Sequence, residues 1–224
     1  MRRRSLVAIL AVLGGVLALA GCGETVESPP QQAVGIPPVS ITTTTPPRLV
    51  PGSPTYERIR QRGKLVVGVS PQRPGWAVRD TTSGEYTGFE VEIARLLARG
   101  LGVDPDKGVL FKPLPPNLRI EAVANGDVDL QIGGITAADA AGGRVELAGP
   151  YLVSAEGEHH IALPARDRAL QAKITELLQQ AVADGSWQQA YDRTLASVSG
   201  PATPPSLSTT ATSSSVATST SSSG

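Results

Sequence analysis

The chain has one cysteine, Cys22, and two histidines, His159 and His160, among 224 residues. A lone thiol closes no intrachain disulfide, so the fold must stand on packing alone. Adjacent histidines on an extended strand point to opposite faces, which argues against a metal centre built on them. Lys and Arg number 20, as do Asp and Glu, and no basic cluster follows Arg2-Arg3-Arg4. Nucleic acid therefore meets no attractive field. The apolar stretch Leu6 to Leu19 falls short of the roughly 20 residues that span a bilayer. Also missing are a nucleophile–base set and a phosphate loop. Asp127 and Asp129 stand at a strand entrance, and Asp139 and Glu146 are scattered carboxylates, so an enzyme is not expected.

Arg2, Arg3 and Arg4 followed by that short apolar stretch read as a signal sequence. The run Leu19-Ala20-Gly21-Cys22 resembles the lipobox of bacterial lipoproteins. The resemblance implies a diacylated Cys22 as the mature N-terminus; the alternative is an uncleaved short anchor with an incidental cysteine. Either one tethers the chain to a membrane at its extracytoplasmic face. Residues 1–21 are then a lipoprotein signal peptide and 22–55 a lipid-anchored linker rich in Pro and Thr, as in Thr42-Thr43-Thr44-Thr45-Pro46-Pro47. Residues 197–224 are a disordered tail of Ser, Thr, Ala and Pro, too poor in apolar surface to build a core. One globular segment remains, 56–196, enough for a single core.

Within it, Leu65-Val66-Val67-Gly68-Val69 is a β-branched apolar run of the kind buried on both faces in a parallel sheet. A loop with turn signals at Pro74-Gly75 and Ser83-Gly84 follows. Phe89, Ile93, Leu96, Leu97 and Leu101 then recur at helical spacing, with Gly102 as a stop. Val109-Leu110-Phe111 is a second strand, Asn117 an N-cap for a helix through Ala124, and Val128 to Ile132 a third strand. That order describes an α/β sheet with right-handed crossovers. Val145 to Val153 and His159 to Leu163 are two extended runs joined by a tight reversal at Ser154 to Glu158, a hairpin. A helix from Arg168 to Ala183, stopped by Gly185, and a short one carrying Trp187, Tyr191 and Leu195 complete the domain.

These elements resemble the bacterial extracellular solute-binding proteins, family 3, the amino-acid receptors of ABC importers. The matching pieces are Arg62-Gly63-Lys64-Leu65-Val66-Val67-Gly68-Val69, Gly84-Glu85-Tyr86-Thr87-Gly88-Phe89-Glu90-Val91-Glu92-Ile93-Ala94, Asn125-Gly126-Asp127-Val128-Asp129-Leu130, Gly134-Ile135-Thr136 and Gly149-Pro150-Tyr151. The resemblance implies one lobe of a type II periplasmic-binding-protein fold, a mostly parallel sheet flanked by helices. Where the family inserts a second lobe, the chain has only the hairpin, its two hinge strands joined directly.

The family's pocket is implied only in part. Trp76 matches an aromatic that packs on ligand, Arg119 an arginine that helps hold a carboxylate, and Gly134 and Thr136 the backbone and hydroxyl contacts of the lobe-one wall. The alternatives are that Trp76 caps the core, Arg119 pairs with a surface carboxylate, and Gly134 serves its turn. The arginine that grips the ligand's carboxylate falls on Ala141, with Arg144 three residues on. Losing one partner of a desolvated charge pair costs about 2–5 kcal/mol, or roughly thirty-fold to several thousand-fold in affinity. The resemblance thus implies a lipid-anchored receptor for a polar or acidic amino acid, working with an ABC permease, with weakened or lost binding and no cofactor. The alternative is an interaction or sensor-accessory lipoprotein that docks a membrane or envelope protein without binding solute.

Overall fold

A computed structural model describes residues 50–70 and 73–207. The signal-like segment, Cys22, the linker up to residue 49 and the tail beyond 207 lie outside the described residues. Ser53 caps helix α1 (Pro54–Arg62), which is followed by β1 (Leu65–Val69). Two short strands, β2 (Val78–Arg79) and β3 (Tyr86–Thr87), pair antiparallel around the Ser83-Gly84 turn. Helix α2 (Phe89–Gly100) leads to β4 (Val109–Pro113). After a 3-10 turn come α3 (Arg119–Ala124) and β5 (Leu130–Ile132), then β6 (Val145–Ser154) and β7 (Gly157–Pro164). Helices α4 (Arg168–Ala183), α5 (Ser186–Thr194) and α6 (Ala196–Ser199) close the unit.

The main sheet has the order β4-β1-β5-β7-β6. Strands β4, β1 and β5 are mutually parallel, and β7 runs antiparallel to both β5 and β6. Four of the five strands therefore point the same way, and β7 alone opposes them. Alternation in β1 feeds two cores. Leu65, Val67 and Val69 join the larger one with residues of α1, α2, α4 and α5, while Val66 packs on the smaller one with Val123 of α3. Helices thus cover both faces, as an α/β sheet requires.

Between β6 and β7 lie only Ala155 and Glu156, so no second lobe is inserted there. The structure corrects several local expectations. Asn117 is not an N-cap; it sits inside the 3-10 turn Pro116–Leu118, because Pro115 and Pro116 set that geometry. Helix α1 was not legible, since its apolar face is only Tyr56 and Ile59. Residues 197–207, expected as tail, instead pack on the domain. Gln179 donates to the Leu207 carbonyl at 3.1 Å, and Ala202 and Leu207 touch the larger core. Val50 and Ser53 likewise extend the packed unit upstream of residue 56.

Asp167 fastens the beginning of this unit to the start of α4. It caps α4 by accepting from the Leu170 amide at 3.2 Å. Its other oxygen accepts from Ser53 Oγ at 2.8 Å and the Thr55 amide at 3.1 Å. Among the described residues no helix is long and apolar enough to cross a membrane.

Candidate functional site

The sequence points to the C-terminal ends of β1 and β5, where the chain turns at Gly133-Gly134-Ile135-Thr136. Gly133 has φ +90° and Gly134 φ +65°, a left-handed pair that favours glycine. Close approach demands glycine here as well. A Cβ on Gly133 would collide with the Glu90 carboxylate, and one on Gly134 would collide with the Arg119 guanidinium and reach Ser70 Oγ at 3.1 Å. The turn is thus held between a buried acid and a half-buried base.

Arg119 at the start of α3 donates through Nε to the Leu114 carbonyl at 3.2 Å and through Nη1 to the Gly134 carbonyl at 3.4 Å. Neither partner is a surface carboxylate. The guanidinium is spread along the turn, with N–H groups left over beyond these two bonds. Burial pulls its pKa below the usual arginine value, partly offset by Glu90 and Asp139.

Thr136 is already engaged. Its amide donates to Asp139 Oδ2 at 2.7 Å and its hydroxyl to the same oxygen at 2.9 Å. The amide bond is the Asp139 arm of a capping box at the short 3-10 helix Ala137–Ala140, and the hydroxyl bond adds to it. The two donors expected to face a ligand are consumed by the chain's own carboxylate. Thr136-x-x-Asp139 is a capping-box spacing, so the sequence did carry this signal. Ala141 follows the 3-10 helix without a guanidinium. Arg144 does not stand in, because it faces Glu121 of α3 at 3.9 Å.

Trp76 sits apart from these three. It is 4% exposed and belongs to the larger core. The Arg73 guanidinium lies over its ring, 3.9 Å from the centroid, and His159 packs against it at 4.8 Å. The cavity that Trp76 lines runs along the β6–β7 hairpin and does not include Arg119, Gly134 or Thr136.

Sequence reasoning missed Glu90. It has no exposed surface, although it opens α2 next to Phe89. Tyr151 donates to its Oε1 at 3.4 Å, and Oε2 has no hydrogen-bond partner among the described residues. Burial raises its pKa to about 7, against the lowering influence of the Tyr151 hydrogen bond, Arg73 and Arg119. Gln131 is similar: its Nε2 serves the Ile132 and Gly133 carbonyls, and its Oε1 is unpartnered. Among the described residues no group of three or more His, Cys, Asp or Glu side chains could hold a metal ion.

A sheet of this order, with its glycine turn at the strand ends and its hinge strands closed into a hairpin, is that of a solute-receptor lobe. The model of bacterial extracellular solute-binding proteins, family 3, matches residues 65–196, and the chain belongs to this family. A glutamine-binding protein of Geobacillus stearothermophilus is 30% identical over 105 residues, covering 47% of this chain and 40% of that protein. An L-cystine-binding protein of Escherichia coli K12 is 29% identical over 97 residues, covering 43% of this chain and 35% of that one. The chain thus matches less than half the length of these relatives. Among solved structures, a solute receptor for L-cysteine of Neisseria gonorrhoeae superposes with TM-score 0.58 at 18% identity, covering 65% of this chain and 95% of that chain. That likeness supports the fold.

Proposed function

We propose that this chain is a lipid-anchored, extracytoplasmic relative of the amino-acid receptors of ABC importers whose own ligand binding is weakened or lost. The observation that carries this reading is the engagement of both Thr136 donors by Asp139, beside an alanine at position 141. An incoming carboxylate must displace Asp139 and then finds no guanidinium at 141 to compensate its desolvation. Arg119, Gly134 and Thr136 remain the residues that would meet a polar or acidic amino acid, whereas Trp76 lines a separate groove along the hairpin. The joined β6 and β7 strands leave such a ligand half uncovered, whereas small-ligand sites commonly bury about 70–90% or more of the ligand. Cys22 is the lipid attachment point, the cell membrane is the location, and no enzymatic role or nucleic-acid partner is assigned.

The directly joined hinge favours a second reading, an accessory lipoprotein that docks a permease, a sensor or another envelope protein. A lone lobe has no closed state by which a permease could tell loaded from empty receptor. A thermal-shift series on the full-length chain in detergent separates the two, with glutamine, glutamate, cysteine and cystine as ligands. Native-state binding must raise the melting temperature by mass action. A saturable shift that disappears in Arg119→Ala restores the receptor role. A flat series with a sharp melt leaves the docking role.

A further inference from the structure

We infer that Glu90 is a proton switch beneath the Gly133-Gly134 turn. Ionised, it holds the Arg119 guanidinium against the turn; on taking up a proton, it frees that guanidinium for an incoming anion. The inference rests on the reading of this turn as the ligand-facing wall and adds its regulation. Glu90 has no exposed surface, and a Cβ on Gly133 would collide with both its carboxylate oxygens. Its Oε2 has no hydrogen-bond partner among the described residues, and its Oε1 has one long bond, from Tyr151 at 3.4 Å. One residue on, a Cβ on Gly134 would collide with the Arg119 guanidinium. Acid and base thus press on consecutive residues of one turn.

The groups that face Glu90 come from several elements. Tyr151 approaches from β6, and its hydroxyl also faces the Gly133 amide; Arg119 comes from α3 and Arg73 from the loop after β1. His159 of β7 packs on Tyr151 at 6.2 Å between ring centroids, and Asp139 shares the Arg119 charge with Glu90. Arg73 is committed to Glu156 at 2.7 Å, so Arg119 is the cation left to answer a change at Glu90. A buried carboxylate attracts a nearby guanidinium only while it is charged. Protonation ends that attraction and turns Glu90 into a donor, with the Tyr151 oxygen as acceptor. Arg119 is then held only by the neutral Leu114 and Gly134 carbonyls, at 3.2 and 3.4 Å. A carboxylate offers it a stronger, charge-assisted pair. The converse follows by linkage: an anion on Arg119 sets a like charge near Glu90 and draws a proton onto it. Burial raises the pKa of Glu90 to about 7, which places the exchange near neutral pH.

The test follows the isotope-labelled full-length chain in detergent by NMR across neutral pH, reading the Arg119 Nε–H and the Gly133 and Gly134 amides. The three signals should shift together with one midpoint at about 7, and Glu90→Gln, which cannot ionise, should lose it. Histidine is the other side chain that changes charge in this range, and the His160 amide donates to the Ile135 carbonyl at 3.0 Å. The variant His160→Gln should therefore keep the midpoint. Acetate at constant ionic strength is the anion probe: it should raise the midpoint, and have no such effect in Arg119→Ala. A midpoint that survives Glu90→Gln, one that acetate leaves unmoved, or signals indifferent to pH would each overturn the proposal. If Glu90→Gln fails to fold, Tyr151→Phe, which removes a hydrogen bond that lowers the Glu90 pKa, must move the midpoint upward or the proposal falls. Acetate lacks an amino group, so failure of glutamine or glutamate to bind leaves the switch standing. An absent midpoint, in turn, leaves the amino-acid reading standing.

Discussion

Phe89 and Glu90 are adjacent, and neither has exposed surface, but they enter opposite kinds of core. Phe89 meets Trp187 and Tyr191 edge-on at 5.5 Å each, and those two rings stack at 5.3 Å. Polar atoms there are satisfied: Trp187 Nε1 donates to the Tyr151 carbonyl at 2.7 Å and Tyr191 donates to the Gly200 carbonyl at 2.8 Å. Glu90 instead enters the strand-end ledge under Gly133, with one oxygen unpartnered and Gln131 Oε1 unpartnered nearby. The first region is finished as a core; the second keeps unused hydrogen-bonding capacity beside the residues expected to face a ligand. A buried polar atom without a partner costs stability, so such atoms point to a site shaped by something besides stability.

The largest break in this contrast is expected from Trp187→Ala. It empties the aromatic cluster and strands the Tyr151 carbonyl, and should lower unfolding free energy by about 3–5 kcal/mol in denaturant titration. On the ledge, Glu90→Gln should do the reverse. The pKa of Glu90 is raised from 4.5 to about 7 in the folded state. Below pH 4.5 both folded and unfolded forms are protonated and the group has no effect on stability. Between pH 4.5 and about 7 the unfolded chain ionises first, so stability falls as pH rises, and above about 7 the deficit is constant. Glu90→Gln should therefore add up to about 3 kcal/mol at pH 8, add little at pH 4, and flatten the slope between them. Chemical denaturation across that pH range gives the sign directly.

A smaller effect is expected from Asp139→Ala. Loss of the capping box should cost about 1 kcal/mol, read as a lower melting temperature. The same change frees the Thr136 amide and hydroxyl, so it should be the one destabilising ledge substitution that improves amino-acid binding.

Much of this fold was legible because long-period patterns carried it. The apolar spacing of α2, the β-branched run of β1 and the Arg168 to Ala183 helix needed no tertiary information. The family motifs then ordered those pieces. What could not be read was set by contacts distant in sequence. Helix α1 is held by the reach of Asp167 across 112 residues to the Thr55 amide, not by a strong apolar stripe. Residues 200–207 have the composition of a tail yet pack beside α4 and α5, because Ala202 and Leu207 find gaps there. At the site, sequence placed Arg119 near the start of a helix and Gly134 and Thr136 on one turn, but gave no hint that Arg119 bonds backbone carbonyls. It also gave no hint that Glu90 lies under Gly133, since a Phe-Glu pair opening a helix usually leaves its acid in solvent at the helix N-terminus. Trp76 was placed with the ligand groups by resemblance, whereas its ring faces Arg73 and the hairpin groove.

We propose that Asp139 and the alanine at position 141 keep this lobe from holding an amino-acid carboxylate. Calorimetric titration of glutamine and glutamate into the full-length chain, and into the double variant Asp139→Ala with Ala141→Arg, tests it most directly. The expected result is dissociation constants weaker than about 1 mM for the unsubstituted chain and a gain of at least about thirty-fold in the double variant. Saturable micromolar binding by the unsubstituted chain would contradict the claim.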